Sequence, residues 1–157
     1  AAEPRVLAIR FAGIEAARPA PGVLEAIAAA DAILLAPSNP FVSIGPILAV
    51  PGIRDAIAGA AAVRAAVSPI IAGQAVKGPA AAMLAALGHE VSALGVARLY
   101  RGLVDVMVID EADAHLSPAI EALGMRCAAV PTLMTDDAAK AALARATLEA
   151  ARQARRP

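Results

Sequence analysis

The chain has 157 residues, enough for one domain with a substantial core. Basic and acidic side chains number 14 each, and this zero formal charge speaks against a general nucleic-acid binder, which carries a basic excess. Hydrophobic residues reach 59%, much of that alanine, and only Phe11, Phe41 and Tyr100 are aromatic, so the core has to be built from Ile, Val, Leu and Ala.

Val6 to Phe11 reads as a strand, and Pro21-Gly22 opens a helix that runs to about Ala30. Ala32 to Ala36 is too short and too continuously apolar for a helix, which makes it a buried strand. The uncharged stretch from Ala32 to Ile53 is broken by Pro37, Asn39, Pro40, Pro46 and Pro51, whereas a spanning helix needs about 20 unbroken apolar residues. It therefore reads as strand, loop and short helix, with Pro37 to Val42 the loop and Ser43 the cap of a helix that tolerates Pro46 in its first turn. A second helix follows Pro51-Gly52.

The same rhythm repeats along the rest of the chain. Val63 to Val67 is a strand, Ser68 to Gly78 a loop, and a helix starts at Pro79 and stops at Gly88. Ala93 to about Tyr100 is a helix, Val104 to Ile109 a strand and Asp110 to Ala114 its loop. Leu116 to Leu123 is a helix stopped by Gly124, and Met125 to Val130 is a strand. Thr135 caps a long last helix, with Asp136 and Asp137 favourably placed against its dipole, and the basic tail Arg152 to Pro157 frays. The fold class is α/β: a Rossmann-like, mostly parallel sheet with helices on both faces, forming a single domain over 1–157. No basic segment followed by an apolar run marks a leader, and the lone Cys127 allows no internal disulfide, so a cytoplasmic protein away from membranes is expected.

In sheets of this kind ligands bind beyond the carboxyl ends of the strands, which ranks the loops. The first, Ala36 to Ser43, offers Ser38 and Asn39, and the helix start after Ser43 offers backbone N–H groups that suit a phosphate. From the residues alone a rigid turn with a cap is favoured over a ligand site. In the second, Lys77 and Gly78 precede a helix start; Lys77 suits a phosphate, but from the residues alone a solvated surface lysine is favoured, and the Gly-Lys order is not that of a Walker loop. The third, Asp110, Glu111 and Asp113, suits Mg²⁺ or a ribose hydroxyl as well as it suits a helix start. The fourth, Pro131 to Thr135, reads as a turn and cap. His89 and His115 lack metal-ligand spacing, Cys127 reads as a small core residue, and Arg98 and Arg101 as a solvated helix face.

Four segments together resemble a known family. They are Leu34-Leu35-Ala36-Pro37-Ser38-Asn39-Pro40-Phe41-Val42-Ser43-Ile44-Gly45-Pro46-Ile47-Leu48; Ser68-Pro69-Ile70-Ile71 with Val76-Lys77-Gly78-Pro79; Ser92-Ala93-Leu94-Gly95-Val96-Ala97; and Val108-Ile109-Asp110-Glu111-Ala112-Asp113. In this order they are similar to the C-terminal half of the 2-phospho-L-lactate transferases, the CofD family of coenzyme F420 biosynthesis. The resemblance implies transfer of a phospholactyl or phosphoenolpyruvyl group from a GDP-activated donor to the deazaflavin Fo, with release of GMP and with Mg²⁺ required. It places Ser38, Asn39, Pro40, Ser43, Lys77 and Gly78 at the substrate pocket, with Asp110, Glu111 and Asp113 as supporting acidic groups.

Members of that family are about twice this length and carry a Gly-rich phosphate loop in their N-terminal half, which has no counterpart here. The expectation is a fragment or a two-chain protein, inactive by itself, that contacts the other half and forms a homodimer when whole. The runner-up is a non-catalytic, nucleotide-sugar-binding regulator of the same superfamily; its first loop is typically Gly-Pro-Gly-Ser-like, whereas this chain has Ala36-Pro37-Ser38-Asn39-Pro40. A third reading is a purely structural half that packs against another chain.

Overall fold

The computed structural model describes residues 6–154. Four parallel strands make the main sheet: β1 (Ala32–Leu35), β2 (Val63–Val67), β5 (Val106–Ile109) and β6 (Arg126–Ala129), in the order β1-β2-β5-β6. Between β2 and β5 lies a small antiparallel hairpin of β3 (Ile70–Ile71) and β4 (Gln74–Ala75). The helices are α1 (Val23–Ala29), α2 (Gly45–Ala49), α3 (Ile53–Gly59), α4 (Ala80–Ala86), α5 (Ala93–Leu99), α6 (Ser117–Glu121) and α7 (Asp137–Ala154). This is the mostly parallel, Rossmann-like α/β architecture expected from the alternating apolar runs.

The strand order advances without reversing, so crossovers of one hand carry every connecting helix to the same face. Ile33 and Leu35, Ala66, Met107 and Ile109 point to that face and pack with Ile53, Ile57, Leu84, Val96, Tyr100 and Ile120. The other face, Ala65, Val67, Val106 and Val108, is covered by α7 through Leu143 and Ala151, with Thr147 buried between them. That spacing of four residues is one stripe of a helix. Helices therefore do lie on both faces, but among the described residues the second face has only α7. Cys127 is half-buried against the first core, where burial pushes its thiol up, as befits a packing residue rather than a nucleophile.

Several local expectations are corrected. Val6 to Phe11 forms no strand: Leu7 is 83% exposed, and β1 pairs only with β2 among the described residues. Apolar composition does not make a strand without a neighbour to take its hydrogen bonds. Ser43 caps nothing, because the helical turn starts earlier, at Pro40, with Asn39 as its cap. Asp136, not Thr135, caps α7: its Oδ1 accepts from the Ala139 amide at 2.8 Å. The loop 68–78 contains the hairpin, and the loop 110–114 is a 3-10 turn over Glu111–Leu116. The N-terminal residues 1–5, which bear on the leader reading, and residues 155–157 of the tail lie outside the described residues. Among those described, no single helix is long and apolar enough to cross a membrane.

Two contacts set the frame around the sheet. At its amino edge Arg64 grips Asp105 in a fork, Nη2 to Oδ1 at 2.6 Å and Nε to Oδ2 at 2.9 Å, and the Arg64 amide donates to Oδ2 at 2.8 Å. Burial pushes the Asp105 carboxyl up, but the hydrogen bonds and charge of Arg64 outweigh it and hold the group below the usual carboxylate range. At the start of α5, Ser92 caps the helix by accepting from the Gly95 amide at 3.0 Å, while Glu90 accepts from Ser92 Oγ at 2.6 Å and from Arg98 at 2.5 Å. A Cβ on Gly95 would stand 1.9 Å from the Glu90 carbonyl oxygen, so only glycine lets the chain pass there.

Gly95→Ala is expected to lower stability by at least about 1–3 kcal/mol, the usual cost of overpacking, as read from denaturant midpoints. The depressed Asp105 carboxyl stabilises the fold above the unfolded pKa of about 3.9 and loses that contribution as pH falls through the lower folded value. Thermal melts between pH 5 and pH 2 are accordingly expected to fall more steeply for the native chain than for Asp105→Asn.

Candidate functional site

The carboxyl ends of the parallel strands bring the four loops to one edge, and a cleft of about 450 Å³ opens among them. Its walls come from the first loop (Ser38, Asn39, Val42, Ser43), the second (Ser68, Ile71, Val76, Lys77, Gly78), the fourth (Thr132, Met134) and α7 (Lys140). Of the residues expected at a site, Ser38, Asn39, Ser43, Lys77 and Gly78 meet here. Pro40, Asp110, Glu111 and Asp113 are not on the cleft wall: Pro40 and Asp113 are buried, and Glu111 is exposed on its 3-10 turn.

The hydrogen bonds separate scaffolding from free groups. Asn39 Oδ1 accepts from the amides of Phe41 (2.9 Å) and Val42 (3.2 Å), and its Nδ2 donates to Met83 Sδ at 3.3 Å. The Asn39 carbonyl takes the amides of Ser43 and Ile44. The first amides of this helical turn are therefore satisfied internally, and the expected phosphate nest at the helix start does not form. Ser68 Oγ is likewise engaged, donating to the Ile70 carbonyl at 3.0 Å and accepting from its amide at 3.1 Å. Among the described residues the side chains of Ser38, Ser43 and Lys77 make no hydrogen bond or ion pair, which leaves them available to a ligand.

The acidic loop works behind the cleft. Asp110 Oδ2 accepts from both the amide and the hydroxyl of Thr132 at 2.9 Å, and its Oδ1 accepts from the Ala112 amide at 3.1 Å. Burial pushes this carboxyl up, yet the bonds from Thr132 and Ala112 prevail and keep it below its ordinary value. Asp113 accepts from the Ala72 amide at 3.0 Å. Asp110 and Asp113 thus accept bonds from neighbouring loops, and no group of three His, Cys, Asp or Glu side chains converges among the described residues.

Lys140 and Met134 escaped the sequence reading. Lys140 sits one turn into α7, and nothing local distinguishes it from a surface lysine; only the return of α7 past the strand ends brings it to the cleft. Its Nζ is 2.9 Å from Asp137 Oδ1, an ion pair that is 58% and 96% exposed on its two sides and so holds the lysine weakly. Lys77 and Lys140 thus give the cleft positive charge, Val42, Val76 and Met134 give it an apolar wall, and Ser38 and Ser43 give it free hydroxyls. Such a cleft can take a phosphorylated ligand with an apolar body. Arg98, by contrast, is held by Glu90 on the helix surface.

Asn39→Ala is expected to cost about 0.5–2 kcal/mol through the lost cap, whereas Ser43→Ala is expected to leave stability unchanged because its hydroxyl has no partner. Urea unfolding of the two variants side by side checks the contrast.

Known proteins match most of the chain, the residues of this cleft included. The model of the family described as 2-phospho-L-lactate transferase CofD matches residues 1–145. A phosphoenolpyruvate transferase of Kitasatospora aureofaciens is 55% identical over 144 residues, which cover 91% of this chain and 45% of that protein. A 2-phospho-L-lactate transferase of Methanosarcina barkeri is 45% identical over 133 residues, 85% of this chain and 42% of that protein. A solved protein from Bacillus halodurans shares the fold at a TM-score of 0.54 and 22% identity, over 83% of this chain and 47% of the other. The chain spans less than half the length of the curated relatives it matches. With the family model matching most of its length and the cleft lined by the loops that carry the motifs, the chain belongs to the CofD family.

Proposed function

We propose that this chain supplies one wall of the active site of a transferase in coenzyme F420 biosynthesis. The reaction moves a three-carbon phosphoryl group from a GDP-activated donor to the ribityl hydroxyl of the deazaflavin Fo. The hydroxyl oxygen forms the new bond to phosphorus, the bond to the GMP phosphate breaks, and the hydroxyl proton is lost. The observation that carries this reading is the two-lysine cleft at the strand ends, built from the motif loops of a family whose relatives are named for such transfers.

Negative charge develops on the phosphoryl oxygens and on the departing GMP, and fixed cations are the means of stabilising it. Lys77 and Lys140 are the cations at this cleft. A charge-assisted hydrogen bond from each contributes about 1.5–3 kcal/mol. We favour the phosphoenolpyruvyl group over phospholactyl: relatives named for phosphoenolpyruvate are 48–55% identical, and those named for phospholactate 42–45%. The Mg²⁺ that belongs to this reaction is held in sites of this kind by one or two carboxylates together with substrate phosphate oxygens and water. The remaining groups of the active site come from the part of the relatives that this chain does not span, and contact with that part and a homodimer of the whole belong to the same proposal.

The test is a transfer assay read by mass spectrometry, with Fo, GDP-linked phosphoenolpyruvate or phospholactate, and Mg²⁺, run on the full-length gene product and on this chain alone. Product from the full-length protein only is the expected result, with the phosphoenolpyruvyl donor preferred. Product from neither, together with tighter binding of a UDP-sugar than of GDP, would replace the transferase by a nucleotide-sugar-binding regulator. In the active protein Lys77→Ala and Lys140→Ala are each expected to lower kcat/KM about 10–100-fold.

A further inference from the structure

Asp113 is 3% exposed, and a buried carboxylate has to be held by something. Its Oδ2 accepts from the amide of Ala72, 41 residues earlier, at 3.0 Å. Ala72 has φ +47°, the one positive value at a non-glycine position among the described residues, and it is followed by Gly73 at +74°. These two residues are the turn between β3 and β4. A side chain in the left-handed region is strained and persists only where the surroundings impose it. Here the surroundings are the Asp113 carboxylate on one side and the two-residue ladder, Ile70 with Ala75 and Ile71 with Gln74, on the other. From Ala75 the chain runs directly through Val76 and Lys77 to Gly78, all on the cleft wall.

We propose that Asp113 is a positioning residue that holds the strained turn of the β3–β4 hairpin and thereby sets where Lys77 stands in the cleft. The proposal rests on the reading of the cleft as a phosphate site only for its effect on ligand binding. The two aspartates of the acidic run then brace different loops. Asp110 fixes the Thr132 loop, and Asp113 fixes the lysine hairpin. Asp113 does not line the cleft.

Two measurements decide it. In amide NMR spectra of this chain, Asp113→Ala is expected to shift the resonances and lower the exchange protection of Ile70 to Gly78, with α7 and β6 unchanged. Asp113→Asn, whose Oδ1 still accepts from Ala72, is expected to resemble the native chain. Shifts confined to residues 110–114, with Val76, Lys77 and Gly78 as in the native spectrum, overturn the proposal. Should Asp113→Ala fail to fold, Gly73→Ala strains the same turn from an exposed position, and the same shifts at Val76 to Gly78 are expected. The second measurement is GDP affinity by calorimetry: Asp113→Ala is expected to lose about as much as Lys77→Ala, roughly 10-fold, and the double variant no more than either. Losses that multiply show that Asp113 does not act through Lys77 and overturn the proposal. The calorimetry is run on the full-length gene product; if its native form binds no GDP, the phosphate reading of the cleft falls, while the amide spectra still decide the positioning role.

Discussion

A parallel sheet whose strands are laid down in sequence order has little freedom in where its parts go. Each connection has to cross the same face, so the helices between β1 and β6 form one layer, and every strand delivers its outgoing loop to the same edge. The cleft is a consequence: the loops after β1, β2 and β6, far apart in sequence, are gathered at one edge because their strands lie in one sheet, and the loop after β5 braces them from behind. The chain changes face only after β6, when α7 returns along the other side and brings Lys140 to the lip of the cleft.

Within that edge most of the polar groups satisfy each other. Asn39 satisfies the opening of a helical turn, Ser68 closes its own loop, and Asp110 and Asp113 tie the third loop to the fourth and second. Buried polar groups without partners are destabilising, so a cleft built from loops has to be braced in this way before it can present anything to a ligand. What remains open to a ligand is small and chemically coherent: two lysines, two serine hydroxyls and an apolar wall. At the opposite edge of the sheet Arg64 and Asp105 are locked together.

The motif segments look different once their partners are known. Gly95 lies in a segment of family character, yet its role is to let α5 pass the Glu90 carbonyl. Asn39 lies at the centre of the strongest segment and is a cap whose side chain also lies on the cleft wall. A recognisable motif thus mixes residues that touch a ligand with residues that shape the loop, and residue type alone does not sort them.

Local pattern was sufficient for the strands at Ala32, Val63, Val106 and Arg126 and for the helices between them, because apolar periodicity and the Gly and Pro signals act over a few residues. It failed at Val6 to Phe11, where a strand needs a neighbour, and at Ser43 and Thr135, where the better-placed Asn39 and Asp136 took the caps. The family resemblance implied a common pocket for Ser38, Asn39, Ser43, Lys77 and Gly78, and these five line the same cleft in the fold. Only the tertiary structure decided that Asp110, Glu111 and Asp113 stand off the cleft and that Lys140 joins it. The reason is physical: whether a charged group faces a ligand or braces a loop depends on which donor lies within about 3 Å of it, and Ala72 and Thr132 reach those carboxylates across 41 and 22 residues of chain.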